Sequence, residues 1–248
     1  MKDFTKYNVS GAHAKAAQYD EGLRAFMLQV YNYMAGALVL TGAISMFAAS
    51  SETIMNMLYV MQAGHIVGIS GLGWLVTFAP LVLVFAFNFG ITRMSVQTVQ
   101  TLFWTYAALI GLSLSSIFMV YTGESIARVF FITAGVFGAM SIYGYSTKKD
   151  LTQFGSFLIM GLIGILIASL INIFLKSTGL QFAVSILSIL IFVGLTAYDT
   201  QRIKSMYYQF GINNEVSTKV AVMGALALYM DFINIFIQLL QFFGNRRD

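Results

Sequence analysis

Long apolar runs, separated by short polar or glycine-rich breaks, fill this sequence from about residue 26 to residue 243. A helix needs about 20 predominantly apolar residues to cross the hydrocarbon core of a bilayer. Seven runs reach or approach that length: 26–49, 74–91, 101–121, 129–146, 155–175, 181–203 and 220–243. Only 10% of the residues are charged, and mean hydropathy is +0.78. A soluble domain carries about 25% charged residues because its surface faces water, so most of this surface faces lipid. The runs lack strand-like alternation and contain glycines, as membrane helices commonly do. The expected fold is an all-α membrane protein, a seven-transmembrane helix bundle with a central polar seventh helix. It divides into a cytoplasmic N-terminal segment (1–25), the seven-helix transmembrane domain (26–243) and a short C-terminal tail (244–248).

Residues 1–25 are polar and mixed in charge, unlike a secretory signal. Cytoplasmic loops of membrane proteins are enriched in Lys and Arg. With the N-terminus inside, Lys2, Lys6, Lys15, Arg24, Arg93, Lys148, Lys149, Arg202, Lys204 and Lys219 lie on the cytoplasmic side. Arg128, Lys176, Arg246 and Arg247 then lie outside. The last two fit this rule poorly, and a six-span protein with a re-entrant last segment is the alternative. The apolar connection 50–73, broken by Gly64, Gly68, Gly71 and Gly73, reads as a short interfacial helix followed by a flexible link.

With no cysteine, disulfides, thiolate metal sites and thiol nucleophiles are excluded. The basic residues form no patch with interleaved aromatics, so nucleic acid is not an expected partner. His13 and His65 lie outside the spans and carry no catalytic expectation.

Ionisable side chains are nearly absent from the spans, and two acids stand out: Asp199 near the cytoplasmic end of the sixth and Asp231 within the seventh. A carboxylate at the bilayer centre costs roughly 2.5–3.5 kcal/mol even on lenient scales, so such residues face the bundle interior and mark a pathway or relay. Asp231, Asn234, Gln238 and Gln241 recur at helical spacing, and Gly224 and Ala227 continue that face with small side chains. Ser185, Ser188, Thr196 and Asp199 fall near one face of the preceding span. Two polar faces on consecutive helices are expected to meet, provided the seventh helix is displaced toward the cytoplasm so that Asp231 reaches the level of Asp199. Two carboxyls held close share a proton and titrate as a coupled pair, which makes a pH sensor. Fully ionised, the same oxygens suit transient binding of calcium. The bland alternative is structural hydrogen bonding between helices, which also suits Ser169 and Asn172 on the fifth span. Arg93 stands on the same side, where it either reaches headgroups or latches one aspartate and closes the mouth.

The strings Ala197-Tyr198-Asp199-Thr200-Gln201-Arg202-Ile203 and Leu228-Tyr229-Met230-Asp231-Phe232-Ile233-Asn234, with Gly22-Leu23-Arg24 and Val30-Tyr31 opening the first helix, resemble the Bax-inhibitor family. The resemblance covers about residues 20–243 and rests on the combination of the two aspartate motifs. It implies a seven-helix fold with the last helix central, and a pH-sensitive calcium leak governed by an aspartate pair at Asp199 and Asp231. It also implies a gating arginine on the second helix, mapped to Arg93, and calcium as permeant ion without a resident cofactor; the short termini point to a bacterial inner-membrane member. Eukaryotic relatives often end in a lysine-rich tail, whereas this chain ends Asn245-Arg246-Arg247-Asp248.

An intramembrane aspartyl protease would share Tyr198-Asp199, but its second aspartate follows Gly-x-Gly, and here Leu228-Tyr229-Met230 precedes Asp231. Its proline motif is missing too, since the one proline is Pro80. No span carries the histidines of a metalloprotease or the lysine of a retinal protein. The expected protein is not an enzyme. The rival to a leak channel is a non-transporting modulator that binds and regulates other membrane proteins.

Overall fold

The computed structural model describes residues 4–62, 65–90, 93–210 and 214–247, with side chains described for 21–62, 66–87, 90, 93–209 and 215–247. Lys2 and Gly64 lie outside the described residues, as do the side chains of Lys6, His13, Lys15 and His65.

The first apolar run lies inside α1 (Phe4–Ser50), a single helix. It starts well ahead of residue 26, because the segment before the run is free of proline and rich in alanine, the best helix former (Ala12, Ala14, Ala16, Ala17). α2 (Glu52–Leu58) follows, its N-cap Ser51 accepting from the Ile54 amide. The expected short helix in the 50–73 connection is therefore present, but the flexible link is not. In its place β1 (Tyr59–Gln62) pairs antiparallel with β2 (His65–Ile69), Tyr59 opposite Ile69 and Gln62 opposite His65. Strands of four and five residues are too short to show a clear period in sequence. They form because Tyr59 and Leu58 pack with Met55 and Val76 in a small satellite core. The Tyr59 hydroxyl also donates to the Ser113 carbonyl at 3.0 Å, which pins the hairpin to the helix below.

The remaining helices are α3 (Gly71–Gly90), α4 (Val96–Ser113), α5 (Ile117–Val120), α6 (Gly123–Ser146), α7 (Thr152–Leu175), α8 (Thr178–Phe210) and α9 (Asn214–Phe243). A 3-10 turn at Leu114–Ser116 joins α4 to α5. Among the described residues, six helices are long and apolar enough to cross a membrane, within Glu21–Ser50, Val96–Val120, Gly123–Ser146, Thr152–Leu175, Thr178–Gln209 and Glu215–Phe243. The second run expected from sequence forms α3, whose described side chains give a shorter apolar helix, Gly71–Phe87.

α9 is the axis of the bundle. Of its apolar stretch 67% is buried, against 11% for α7 and at most 33% for the other spans. Val222, Ala225, Leu228, Tyr229, Phe232 and Ile235 form a fully buried face of α9, Met223, Ala227, Met230 and Asn234 on the other side are partly buried, and α1, α4, α6 and α8 pack against the helix. Close approach is set by small residues. A Cβ on Gly224 would lie 3.0 Å from Ile203, where α8 crosses α9. A Cβ on Gly144 would collide with the backbone carbonyl of Ala197, where α6 meets α8.

Substitution of Gly144 by leucine is expected to cost at least the ~1–3 kcal/mol typical of overpacking, because backbone and not a movable side chain stands in the way. The thermal unfolding midpoint in detergent measures this, with Gly135→Ala as the control, since a Cβ there meets nothing within 4 Å. Equal midpoints for the two variants would refute the α6–α8 contact.

Candidate functional site

Of four consecutive residues of α8, three reach different parts of the molecule and the fourth pairs with the first. Asp199 is joined by a side-chain hydrogen bond to Asp231 of α9. Thr200 bonds Ser141 of α6 at 3.0 Å, and Ser141 in turn meets the Tyr31 hydroxyl of α1. Gln201 clamps the α6–α7 connection, accepting from the Leu151 amide and donating to the Lys149 carbonyl, both at 2.8 Å. Arg202 turns back along its own helix, Nη1 3.9 Å from Asp199 Oδ1. Successive residues on a helix point about 100° apart, so a short polar string in a tightly packed helix necessarily contacts several neighbours.

The carboxyl pair is largely withdrawn from solvent. Asp231 is 3% exposed and the Asp199 side chain 14%, while the Arg202 side chain is 54% exposed. Arg202 thus holds the more accessible end of the pair from the water side. Carboxylates have no donor, so a hydrogen bond between two of them requires a proton on one. Asp231 Oδ2 is buried with no partner. A cavity of about 170 Å³ reaches Asp199, lined by Val84 and Phe87 of α3, Asp199 and Arg202 of α8, and Met223 and Met230 of α9. Among the described residues, no three His, Cys, Asp or Glu side chains converge as metal ligands.

The other sequence-predicted residues are distributed as follows. Asn234 donates to the Met230 carbonyl of its own helix at 2.8 Å. Gln238 Oε1 is buried without a partner. Gln241 Oε1 accepts from Ser185 at 3.5 Å and, with Ser185, Gln181, Tyr121 and Arg246, lines a polar cavity of about 380 Å³ at the opposite end of the bundle. The two polar faces therefore meet at Asp199–Asp231 and at Ser185–Gln241. Between those points Ser188 and Thr196 donate to their own backbone, to Val184 and Phe192. Asn172 accepts from the Ser177 amide and closes the end of α7. Arg93 is exposed on the turn between α3 and α4, its amide bonded to Gly90. It does not line the cavity at Asp199, where the neighbouring cation is Arg202.

Sequence reasoning counted Arg202 only as a cytoplasmic charge, although its i,i+3 spacing from Asp199 was a readable signal. It also missed Thr41 of α1, whose hydroxyl donates to the Ala107 carbonyl of α4 at 2.9 Å and meets the Tyr229 hydroxyl at 2.6 Å. The chain end was unreadable too: Asn245 and Arg247 pair in backbone hydrogen bonds with Thr122 and Val120, and Arg128 donates to the Phe243 carbonyl. Arg246 and Arg247, awkward for the charge rule, belong to this folded-back tail.

Membrane-length helices wound around a buried polar helix, with paired acids inside, define a multi-pass integral membrane protein. The chain belongs to the Bax inhibitor family: the family model described as Inhibitor of apoptosis-promoting Bax1 matches residues 23–248, a span that contains both aspartates. Similar proteins include RP147 of Rickettsia prowazekii, 52% identical over 248 residues and the whole of both chains. A Caulobacter vibrioides protein is 46% identical over 250 residues, again covering both chains. The inner membrane protein YbhL of Escherichia coli is 46% identical over 227 residues, 91% of this chain and 94% of YbhL.

Thr41→Val leaves the buried Tyr229 hydroxyl without a partner and is expected to cost about 1–3 kcal/mol, while Thr41→Val with Tyr229→Phe recovers most of that loss. Chemical denaturation in mild detergent measures both. A double variant no more stable than the single one would show that the hydroxyl pair is not what holds α1 to α9.

Proposed function

We propose that this protein is a pH-sensitive calcium leak channel of a bacterial inner membrane, gated by the proton shared between Asp199 and Asp231. The observation that carries the reading is the hydrogen-bonded carboxyl pair at the crossing of α8 and the central α9. Loss of the shared proton places two like charges side by side. At a separation of about 4 Å and an effective dielectric of about 20, they repel by about 4 kcal/mol, nearly three powers of ten in population. A second proton instead neutralises Asp199 and releases Arg202. The singly protonated pair is thus the closed state, with Arg202 one turn along α8 offsetting the charge that remains on Asp199. The ionised pair offers hard oxygens to calcium, with Asp231 Oδ2 unpartnered. Two carboxylates are few for a cation that takes about 6–8 oxygens, which favours passage over storage. The path runs along Asn234, Gln238 and Gln241.

This reading has seven crossings with the N-terminus cytoplasmic, α3 adding one to the six helices of full membrane length. α3 starts against the α2–hairpin cap, where Ser70 donates to the carbonyls of Met57 and Leu58, and reaches the Asp199 cavity with Val84 and Phe87. Its 20 residues extend about 30 Å, the thickness of the hydrocarbon core. Lys149, Arg202 and Lys204 collect at the end that holds the carboxyl pair. YbhL, by its name an inner membrane protein, agrees with the location.

Calcium flux into proteoliposomes across pH 5–9 tests the reading (the range brackets the neutral region by several units). The wild-type leak is expected to be lowest where the pair holds one proton. Asp231→Asn supplies a permanent donor to Asp199 and should remove the alkaline rise, and Arg202→Ala should raise the leak more than Arg93→Ala does. Asp150 does not interfere: Thr152, by hydroxyl and then amide, holds its exposed carboxyl below the usual carboxylate range. Its contribution is present above the unfolded carboxyl value and lost only as pH falls through the lower folded one. A pH profile unchanged in Asp199→Asn and Asp231→Asn would sink the gating idea. Folded protein that passes no calcium would assign the chain to the non-transporting modulators.

A further inference from the structure

A third cavity, of about 250 Å³, lies along α9 from Phe232 to Phe236 and extends to Ser45 of α1 and Gly123 of α6. α1, the α4–α5 turn, α6 and α9 enclose it on part of its surface, with Leu38, Ser45, Ile126, Phe130, Phe232 and Phe236 in its lining. Its floor is the central helix, where Phe232 and Phe236 are only 3% and 8% exposed. Beside it on the outer surface of α1 and α6, Val39, Met46 and Phe131 are well exposed. In a chain with membrane-crossing helices these side chains face lipid, so the cavity opens sideways into the bilayer.

Two observations distinguish it from a packing defect. Ser45 is buried, lines the cavity, and its hydroxyl has no hydrogen-bond partner. A serine or threonine in a helix ordinarily bonds the carbonyl four residues back, as Thr133, Ser188 and Thr196 do here. Independently, Gly42 of α1 and Gly123 of α6 line the cavity, and a Cβ on either would meet nothing within 4 Å. The space is open because these two positions carry no side chain.

The size and chemistry select the occupant. Apolar cavities of about 150 Å³ bind benzene and stay dry, and this one is larger. A water needs two to four polar partners, yet the Thr41 hydroxyl is already committed to Ala107 and Tyr229, leaving Ser45 alone. Ser45 stands about 7.5 Å short of the end of α1 at Ser50. That depth is near the boundary of the hydrocarbon core and the polar region, where lipid ester groups lie.

We propose that this cavity binds an acyl chain of a membrane glycerolipid, the chain lying on Phe232 and Phe236 and its ester carbonyl accepting a hydrogen bond from Ser45. The bound chain fills the gap between α1 and α6 and supports α9 at Phe232 and Phe236. This site is independent of the calcium reading, and a leak-inactive protein would still have it.

The test is photolabelling of the full chain in phosphatidylcholine vesicles doped with phosphatidylcholine carrying a diazirine midway along one acyl chain. Adducts mapped by mass spectrometry are expected at Phe232–Phe236, which bulk lipid does not reach, as well as at exposed Phe131. Gly42→Leu and Gly123→Leu, filling the cavity from α1 and from α6, should each lower the α9 adduct at least about fivefold and leave the Phe131 adduct unchanged. Either variant suffices if the other fails to fold. Ser45→Ala should lower the α9 adduct for the ester lipid but not for its ether-linked analogue, which has no carbonyl. Wild-type protein without the α9 adduct, or an adduct that survives in a folded filled variant, overturns the site. Equal behaviour of ester and ether lipids toward Ser45→Ala overturns the ester contact. Labelling of α9 by a diazirine fatty acid but not by the glycerolipid overturns the assignment to a glycerolipid.

Discussion

Asp231 lies in a helix of membrane-crossing length, and lipid offers it no hydrogen-bond partner. That single constraint arranges the bundle. A helix carrying Asp231, Asn234 and Gln238 has to be surrounded by other helices, and α9 is packed by α1, α4, α6 and α8. Small residues make the enclosure tight: Ala221 and Ala225 are fully buried and Gly224 sits against Ile203. α7, which has no comparable polar burden within its span, is left at the edge with most of its surface toward lipid. The hydroxyl contacts from Thr41 to Tyr229 and Ala107 then tie the axis to α1 and α4.

The string Asp199-Thr200-Gln201-Arg202 shows how local chemistry becomes coupled to the whole. Its members bond to α9, to α6, to the α6–α7 connection and to one another. A change of charge on Asp199 therefore acts on a helix already tied to three other parts of the molecule. Such a helix cannot move alone, and packed interfaces tend to rest in discrete arrangements rather than deform continuously. In the proposed leak, that coupling lets a single proton alter the path along α9.

The parts that sequence reasoning missed share a cause. The β1–β2 hairpin depends on a satellite core formed with Met55 and Val76, and four-residue strands carry almost no periodic signal of their own. The tail at Asn245–Arg247 is held by backbone bonds to Val120 and Thr122, and backbone groups are the same in every sequence. The cavity beside Ser45 exists because positions 42 and 123, distant in sequence, are both glycine in its lining.

Hydropathy and helical spacing alone determined that the chain crosses a membrane, that its last helix is polar along one face, and that Asp199 and Asp231 are the acids to watch. These are local properties, written in runs of consecutive residues and paid for by the cost of exposing charge to lipid. Whether the two acids meet was a matter of register between α8 and α9, decided by how closely Gly224 lets Ile203 approach. Which arginine stands beside them was likewise decided by packing: Arg202 rides on α8 with Asp199, whereas Arg93 sits on a turn outside the cavity. Interhelical register and loop placement arise from contacts between distant segments, and only the tertiary structure contains them.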